Sequence, residues 1–138
     1  MSIPRGIRNC NPGNIRLGQS WQGMAAMQTD PSFVQFLSPE YGIRAIAKIM
    51  LTYASNGIDT ISGIINRWAP PSENDTGAYV QAVAEQCSVA PTDAVDMKSV
   101  LPGLVRAIIQ HENGEQPYTD EQINAGIAMA IEPQTIST

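Results

Sequence analysis

At 138 residues the chain has the length of one domain around one core, and 43% hydrophobic content is enough to fold it. Only 15% of residues are charged, the formal net charge is -5 and no Lys/Arg run occurs, which argues against nucleic-acid binding through phosphate neutralisation. The surface must be rich in Ser, Thr, Asn, Gln and Gly, able to hydrogen-bond a polar polymer such as glycan and also ordinary for a small soluble protein.

Met1-Ser2-Ile3-Pro4-Arg5-Gly6 lacks a basic and then an apolar region, so no secretory signal is expected. No run of about 18 apolar residues occurs, so no membrane insertion is expected either. Residues 1–14 read as irregular, because Pro4, Gly6, Asn9, Asn11, Pro12, Gly13 and Asn14 are all turn formers. Ile15 to Leu17 and Phe33 to Phe36 are candidate strands of a small β-hairpin across 15–37, with Thr29-Asp30-Pro31-Ser32 as the turn before the second.

Ser38-Pro39-Glu40 starts a helix, with Ser as N-cap, Pro at the first position and Glu in the first turn. Ile43, Ile46, Ala47 and Met50 form its buried stripe, and Asn56-Gly57 ends it. Asp59 or Thr60 caps a second helix with Ile61, Ile64, Ile65 and Trp68 on one face, stopped by Ala69-Pro70-Pro71. Asp75 or Thr76 opens a third, carrying Tyr79, Val80, Val83, Ala84 and Cys87. After a connector from Pro91 to Asp96, Ser99 is the expected cap of a helix ending in His111-Glu112-Asn113-Gly114, with Pro102 near its first turn. Thr119-Asp120-Glu121-Gln122 fits a capping box before a last helix with Ile123, Ile127, Ala130 and Ile131. Pro133 ends that helix, and the tail from Gln134 to Thr138 reads as mobile. The expected fold is mainly α, a single domain over 1–138 with about five helices and the N-terminal hairpin.

Glu112 is the candidate for chemistry. Leu101, Leu104, Val105, Ile108 and Ile109 recur on one helix face, and the stripe continues onto this carboxylate. The helix macrodipole disfavours a negative charge there, whereas an apolar wall that raises a carboxyl pKa suits a general acid. Glu73, in a loop beside Asn74 and Asp75, is a candidate second carboxylate. Glu40 is another, although its helix-start position explains it fully. Asp30 most simply caps a turn, and Glu85 reads as a solvated face. His111 points about 100° away from Glu112 around the helix, and a lone histidine is weak support for a triad. Trp68 and Tyr53 read as core, while Trp21, Tyr79 and Tyr118 are candidates for stacking on sugar faces. Asn11, Asn14 and Gln22 are candidates for hydrogen bonds to N-acetyl groups or hydroxyls, the asparagines alternatively holding turns. Cys10 and Cys87 form no metal-binding pattern with one histidine. Each reads as a free thiol, and the spacing leaves a disulfide between them open.

Arg5-Gly6-Ile7-Arg8-Asn9-Cys10-Asn11-Pro12-Gly13-Asn14-Ile15-Arg16 resembles the RGIRNNNPGNIR opening of a family of small phage proteins often labelled virion structural proteins. The resemblance runs on through Phe33 to Phe36, Tyr41 to Ala45, Arg67 to Thr76 and Tyr79, and ends with Ala107 to Gly114 and Pro117-Tyr118. Cys10 is a departure, since the family pattern has Asn there. More distantly, Ile108 to Gly114 looks like the helix end that carries the catalytic Glu of lysozyme-like peptidoglycan glycosidases. There the Asn-rich segment, hairpin and helix follow the catalytic helix, whereas here they precede it. The resemblance therefore implies a circularly permuted lysozyme-like domain, with termini close together at the surface.

It further implies a muramidase or lytic transglycosylase of a phage particle or lysis system, acting on peptidoglycan glycan strands with Glu112 as general acid. One carboxyl suffices if the sugar's own groups supply the nucleophile; if water is used, Glu73 or Glu40 is the second. No metal or organic cofactor is required. Other virion proteins are further expected partners, and delivery would run from the virion or host cytoplasm to the periplasm. The rival expectations are a non-catalytic virion structural or glycan-binding module and a secreted antibacterial cell-wall effector.

Overall fold

Two 17-residue helices organise the computed structural model, which describes residues 3–72 and 74–131. In α2 (Pro39–Ser55) Ile43, Ile46, Ala47 and Met50 share one face, and all four are fully buried. In α5 (Met97–Asn113) the same is true of Leu101, Leu104, Val105, Ile108 and Ile109. α2 packs on α5 and, more extensively, on α6 (Asp120–Ile131), while α3 (Ile61–Trp68) and α4 (Thr76–Gln86) pack on each other and α4 closes on α5. The chain is therefore mainly α. Among the described residues no helix is long and apolar enough to cross a membrane.

Caps explain the helix limits. The Thr60 hydroxyl accepts from Gly63 N–H at 3.0 Å and the Asp75 carboxylate from Ala78 N–H at 3.2 Å, each satisfying an otherwise orphaned donor. Thr119 and Gln122 bond reciprocally at 3.1 Å in each direction, a complete capping box. Ser38 takes the N-cap position of α2 without a side-chain cap bond, and Pro39 follows it. α5 begins two residues before the expected Ser99 cap. Asp96 caps it instead, accepting from both the N–H and the hydroxyl of Ser99 at 3.2 and 2.7 Å, so Pro102 lies beyond the first turn.

The N-terminal segment departs from expectation twice. A single helical turn, α1 (Arg5–Arg8), forms where the turn formers predicted none, and it packs on α5. The hairpin expected across 15–37 does not form a ladder: among the described residues there are two isolated antiparallel bridges, Arg16 with Phe33 and Met24 with Phe36. Side-chain amides supply part of the pairing, beside scattered backbone bonds such as Val34 N–H to the Ile15 carbonyl and Leu17 N–H to the Ser32 carbonyl. Gln28 donates to the carbonyls of Ala25 and Gln35 and accepts from Gln35 N–H, all at 2.8 Å. Glu73, Pro133 and the tail from Gln134 to Thr138 lie outside the described residues.

Asp30 ties α1 to this segment. Its carboxylate accepts from Arg5 Nε and Nη2 at 2.7 and 2.6 Å, from Asn9 Nδ2 at 3.0 Å, and from the N–H groups of Ser32 and Phe33 at 2.9 and 3.0 Å. The turn-capping role read from sequence is present, with an ion pair added. The Arg5 hydrogen bond above all holds this carboxyl well below the usual carboxylate range. Its stabilisation is thus present above its ordinary pKa of 3.8 and is lost as pH falls below that value. Asp30→Asn should lower the thermal midpoint by several degrees at pH 7, and melts from pH 7 to pH 3 should show the gap to the wild type narrowing at the acid end.

Candidate functional site

Glu112 lies in the last turn of α5, one turn beyond Ile108, where the apolar stripe reaches the surface. Gly114 ends the helix at φ 75°, its N–H donating to the Gln110 carbonyl at 2.8 Å. A half-buried carboxylate at this end of a helix gains nothing from the macrodipole, so donors must come from elsewhere. Two segments supply them. Tyr79 of α4 donates its hydroxyl to Glu112 Oε2 at 2.9 Å, and Asn14 of the N-terminal loop donates Nδ2 to Oε1 at 3.3 Å. Trp68, the last residue of α3, donates Nε1 to the Tyr79 hydroxyl at 3.0 Å and thereby fixes its orientation.

Tyr79 is fully enclosed, and its phenol is pushed far above the usual range by burial first and then by the charge and hydrogen bond of Glu112. It therefore stays protonated and remains a donor. His111 stacks on the Tyr79 ring at 3.8 Å between centroids and 24° between planes. The two neighbours on α5 point different ways yet meet the same tyrosine, one at its ring and the other at its hydroxyl.

Asn14 adopts φ 50°, a left-handed conformation that asparagine tolerates. Gly6 of α1 presses against this amide: a Cβ at Gly6 would fall 2.8 Å from Asn14 Oδ1 and 2.5 Å from Asn113 Oδ1. Asn113 in turn donates to the Pro12 carbonyl at 2.8 Å, clamping the loop to the end of α5.

Glu112 forms part of the wall of a cleft of about 520 Å³, together with Asn14, Arg16, Arg67, Trp68 and Asn74. That size suits a small organic ligand or a short stretch of polymer. Among the described residues Glu112 is the one carboxylate in this lining, and two arginines face it. Among the described residues no group of three or more His, Cys, Asp or Glu is placed to hold a metal ion.

Of the expected site residues, the structure brings Glu112 and Asn14 together. Tyr79 joins them in a different capacity from the one expected: enclosed in the core, it cannot stack on a sugar and instead orients the carboxylate. Asn11 is fully buried and its amide is committed, accepting from Ile15 N–H and donating to the carbonyls of Ile15 and Val34, so it holds the turn and does not face ligand. Trp21 and Gln22 line a separate cavity that shares Ile49 with the cleft. Tyr118 is half-buried away from the cleft lining. Its phenol is pushed up to about 12 by burial first, then by Cys10, Glu40 and Glu115. Glu40 stands in the first turn of α2 on the Cys10 and Tyr118 side, outside the cleft lining, and Glu73 lies outside the described residues.

Trp68, Arg16, Arg67 and Asn74 were not among the expected site residues. Trp68 lies on the apolar stripe of α3, which concealed it, and its place immediately before Ala69-Pro70-Pro71 was the available signal. Cys10 and Cys87 are both free thiols.

Over 127 residues the chain is 41% identical to protein P5 of Pseudoalteromonas phage PM2, an alignment that covers 88% of this chain and 79% of that protein. No family model matches the chain.

Tyr79→Phe leaves Glu112 without one donor and the Trp68 indole without an acceptor. It should lower the unfolding free energy by about 1–3 kcal/mol in urea titrations. In the wild type the stability supplied by the protonated Tyr79 and Tyr118 is present below their ordinary pKa of 10 and lost as pH rises above it. Melts between pH 9 and pH 12, estimated limits about one unit below and two above that pKa, should show the fall, reduced in Tyr79→Phe.

Proposed function

This chain belongs to the family of protein P5 of Pseudoalteromonas phage PM2, and we propose that it cleaves the glycan strand of peptidoglycan as a phage muramidase or lytic transglycosylase. The observation that carries this reading is Glu112, half-buried at a cleft wall and hydrogen-bonded on both oxygens by Tyr79 and Asn14. Such an acid is oriented before substrate arrives, as general-acid catalysis requires.

Glu112 gives its proton to the glycosidic oxygen as the bond from that oxygen to C1 breaks, leaving positive charge on the sugar ring. With Glu112 as the one described carboxylate in the cleft, the reading favours attack by the sugar's own C6 hydroxyl. That oxygen bonds to C1, and its proton passes to the Glu112 carboxylate, restoring the acid and closing an anhydro ring. Water in place of that hydroxyl gives hydrolysis. The Trp68 ring offers an apolar face to a sugar, and Asn14, Asn74, Arg16 and Arg67 offer donors to its hydroxyl and acetyl groups. In this reading the domain is lysozyme-like in permuted order, with the Asn-rich loop, the bridged segment and α2 preceding the helix that bears the acid. Action from the virion, against a cell wall outside the host membrane, fits the phage family.

Glu112→Gln should keep the fold by circular dichroism and lose clearing of a peptidoglycan suspension by at least about 100-fold. Clearing at the wild-type rate would overturn the assignment. Mass analysis of released muropeptides identifies the route: an anhydro end for the intramolecular attack, a reducing end for hydrolysis. Wild-type binding to the wall without clearing would instead establish a glycan-binding module.

A further inference from the structure

Next to the cleft, with Ile49 common to both walls, lies a second cavity of about 610 Å³. Arg44 of α2 is in its lining and is only 7% exposed, yet its Nε is buried with no hydrogen-bond partner, and Arg44 forms no ion pair among the described residues. A buried cation left unpaired is strongly unfavourable. Lys48 follows one helical turn later and faces the same cavity, a like-charge spacing that is itself repulsive. Trp21 Nε1, in the same lining, is a second buried donor without an acceptor. No carboxylate lines this cavity among the described residues. Two buried donors that lack acceptors, Arg44 Nε and Trp21 Nε1, and the partly exposed ammonium of Lys48 therefore converge on one space.

An anion is the group such a lining suits. A bare inorganic ion would fill little of this volume, and the walls of Ile49, Trp21 and Tyr53 are apolar or aromatic, so the anion is carried on an organic body. A guanidinium takes a carboxylate through two parallel hydrogen bonds, and the neighbouring ammonium adds attraction. We infer that this cavity is a carboxylate-binding subsite for the peptide stem of the strand whose sugars occupy the Glu112 cleft. The identity of the strand rests on the glycosidase reading; the anion site rests on Arg44, Lys48 and Trp21 alone. The shared Ile49 wall lets one molecule reach both, with its sugars at Glu112 and its peptide at Arg44.

The test uses the full chain as Glu112→Gln, which binds without cleaving, and calorimetry with two soluble glycans that differ only in whether the peptide stem is attached. The peptide-bearing glycan should bind at least about tenfold more tightly. Arg44→Gln and Lys48→Gln should each reduce that preference severalfold while leaving the affinity for the peptide-free glycan unchanged. Lys48 is partly exposed, so its substitution carries the test if Arg44→Gln does not fold. Equal affinity for the two glycans, or a preference that survives both substitutions, would overturn the subsite. Free stem peptide and inorganic phosphate complete the set: phosphate that competes as well as the peptide at equal concentration would also overturn it. Peptide binding that depends on Arg44, in a wild-type protein that clears no peptidoglycan, would uphold the subsite while the glycosidase reading fell. Clearing with no preference for the peptide would do the reverse.

Discussion

A carboxyl group at the C-terminal end of an apolar helix has to be held by donors from outside that helix, and Glu112 is held by a relay of them: Trp68 to Tyr79 to Glu112, met from the other side by Asn14. Most of the tertiary arrangement can be understood as what this relay requires. Trp68 and Tyr79 belong to different helices, and the corner between them is locked by the Thr76 hydroxyl, which donates to the Ala69 carbonyl at 2.6 Å in the interior. Asn74 braces the same corner through the Pro70 carbonyl at 3.2 Å. Proline stops α3, Asp75 starts α4, and the indole and the phenol are left facing each other across a bend with little freedom to part.

The N-terminal segment performs the matching task for Asn14. Nearly every polar residue in it is occupied with structure. Asn9 donates to Asp30 and accepts from Gln35, and Asn11 closes the loop on itself and on Val34. Gly42 of α2 lies so close to the Cys10 carbonyl that no side chain fits there, which seats the loop directly on the central helix. The result is a rigid cradle that presents one amide to the cleft. Cys10 takes φ 53° within it, a left-handed position for which asparagine is well suited and other residues are tolerated at some cost. The exchange of Asn for Cys relative to the phage pattern thus falls on a backbone position, away from the cleft lining.

How far the fold was legible depended on whether side chains or distant partners set each element. α2, α3, α4 and α6 combine an apolar stripe with a cap, and both signals are local. α1 has neither, being a single turn tied down by Asp30 from 25 residues away. The alternation in Phe33 to Phe36 is real, since Val34 and Phe36 are buried while Phe33 and Gln35 are less so. It failed to mean a ladder because the partners change at every residue: Phe33 N–H donates to Asp30, Val34 N–H to Ile15, Gln35 N–H to Gln28 and Phe36 N–H to Asn9. Glu112 was legible because a charge ending an apolar stripe conflicts with its surroundings, and such conflicts mark sites. Tyr79 lay in plain sight on the α4 stripe with Val80 and Val83. Reading it as a surface ring overlooked that a buried tyrosine needs a partner for its hydroxyl, and that partner was the one acid already singled out.

Charge placement links the two cavities. Of the eight lysines and arginines in this acidic chain, Arg5 and Arg106 are engaged in ion pairs with Asp30 and Asp120. Arg16 and Arg67 face the cleft, and Arg44 and Lys48 face the cavity beside it. Half of the cations are thus gathered on adjoining concave surfaces where Glu112 is the one described carboxylate, although the molecule as a whole is negative. Concave, weakly screened surroundings focus such a field. In the proposed reading, a polymer with carboxylates along it is drawn to this part of the surface. Among the described residues Glu112 lies near cations without an ion pair to one: Tyr79 and Asn14, both neutral, donate to its two oxygens. Neutral donors thus orient Glu112, while Arg16 and Arg67 line the space in front of it.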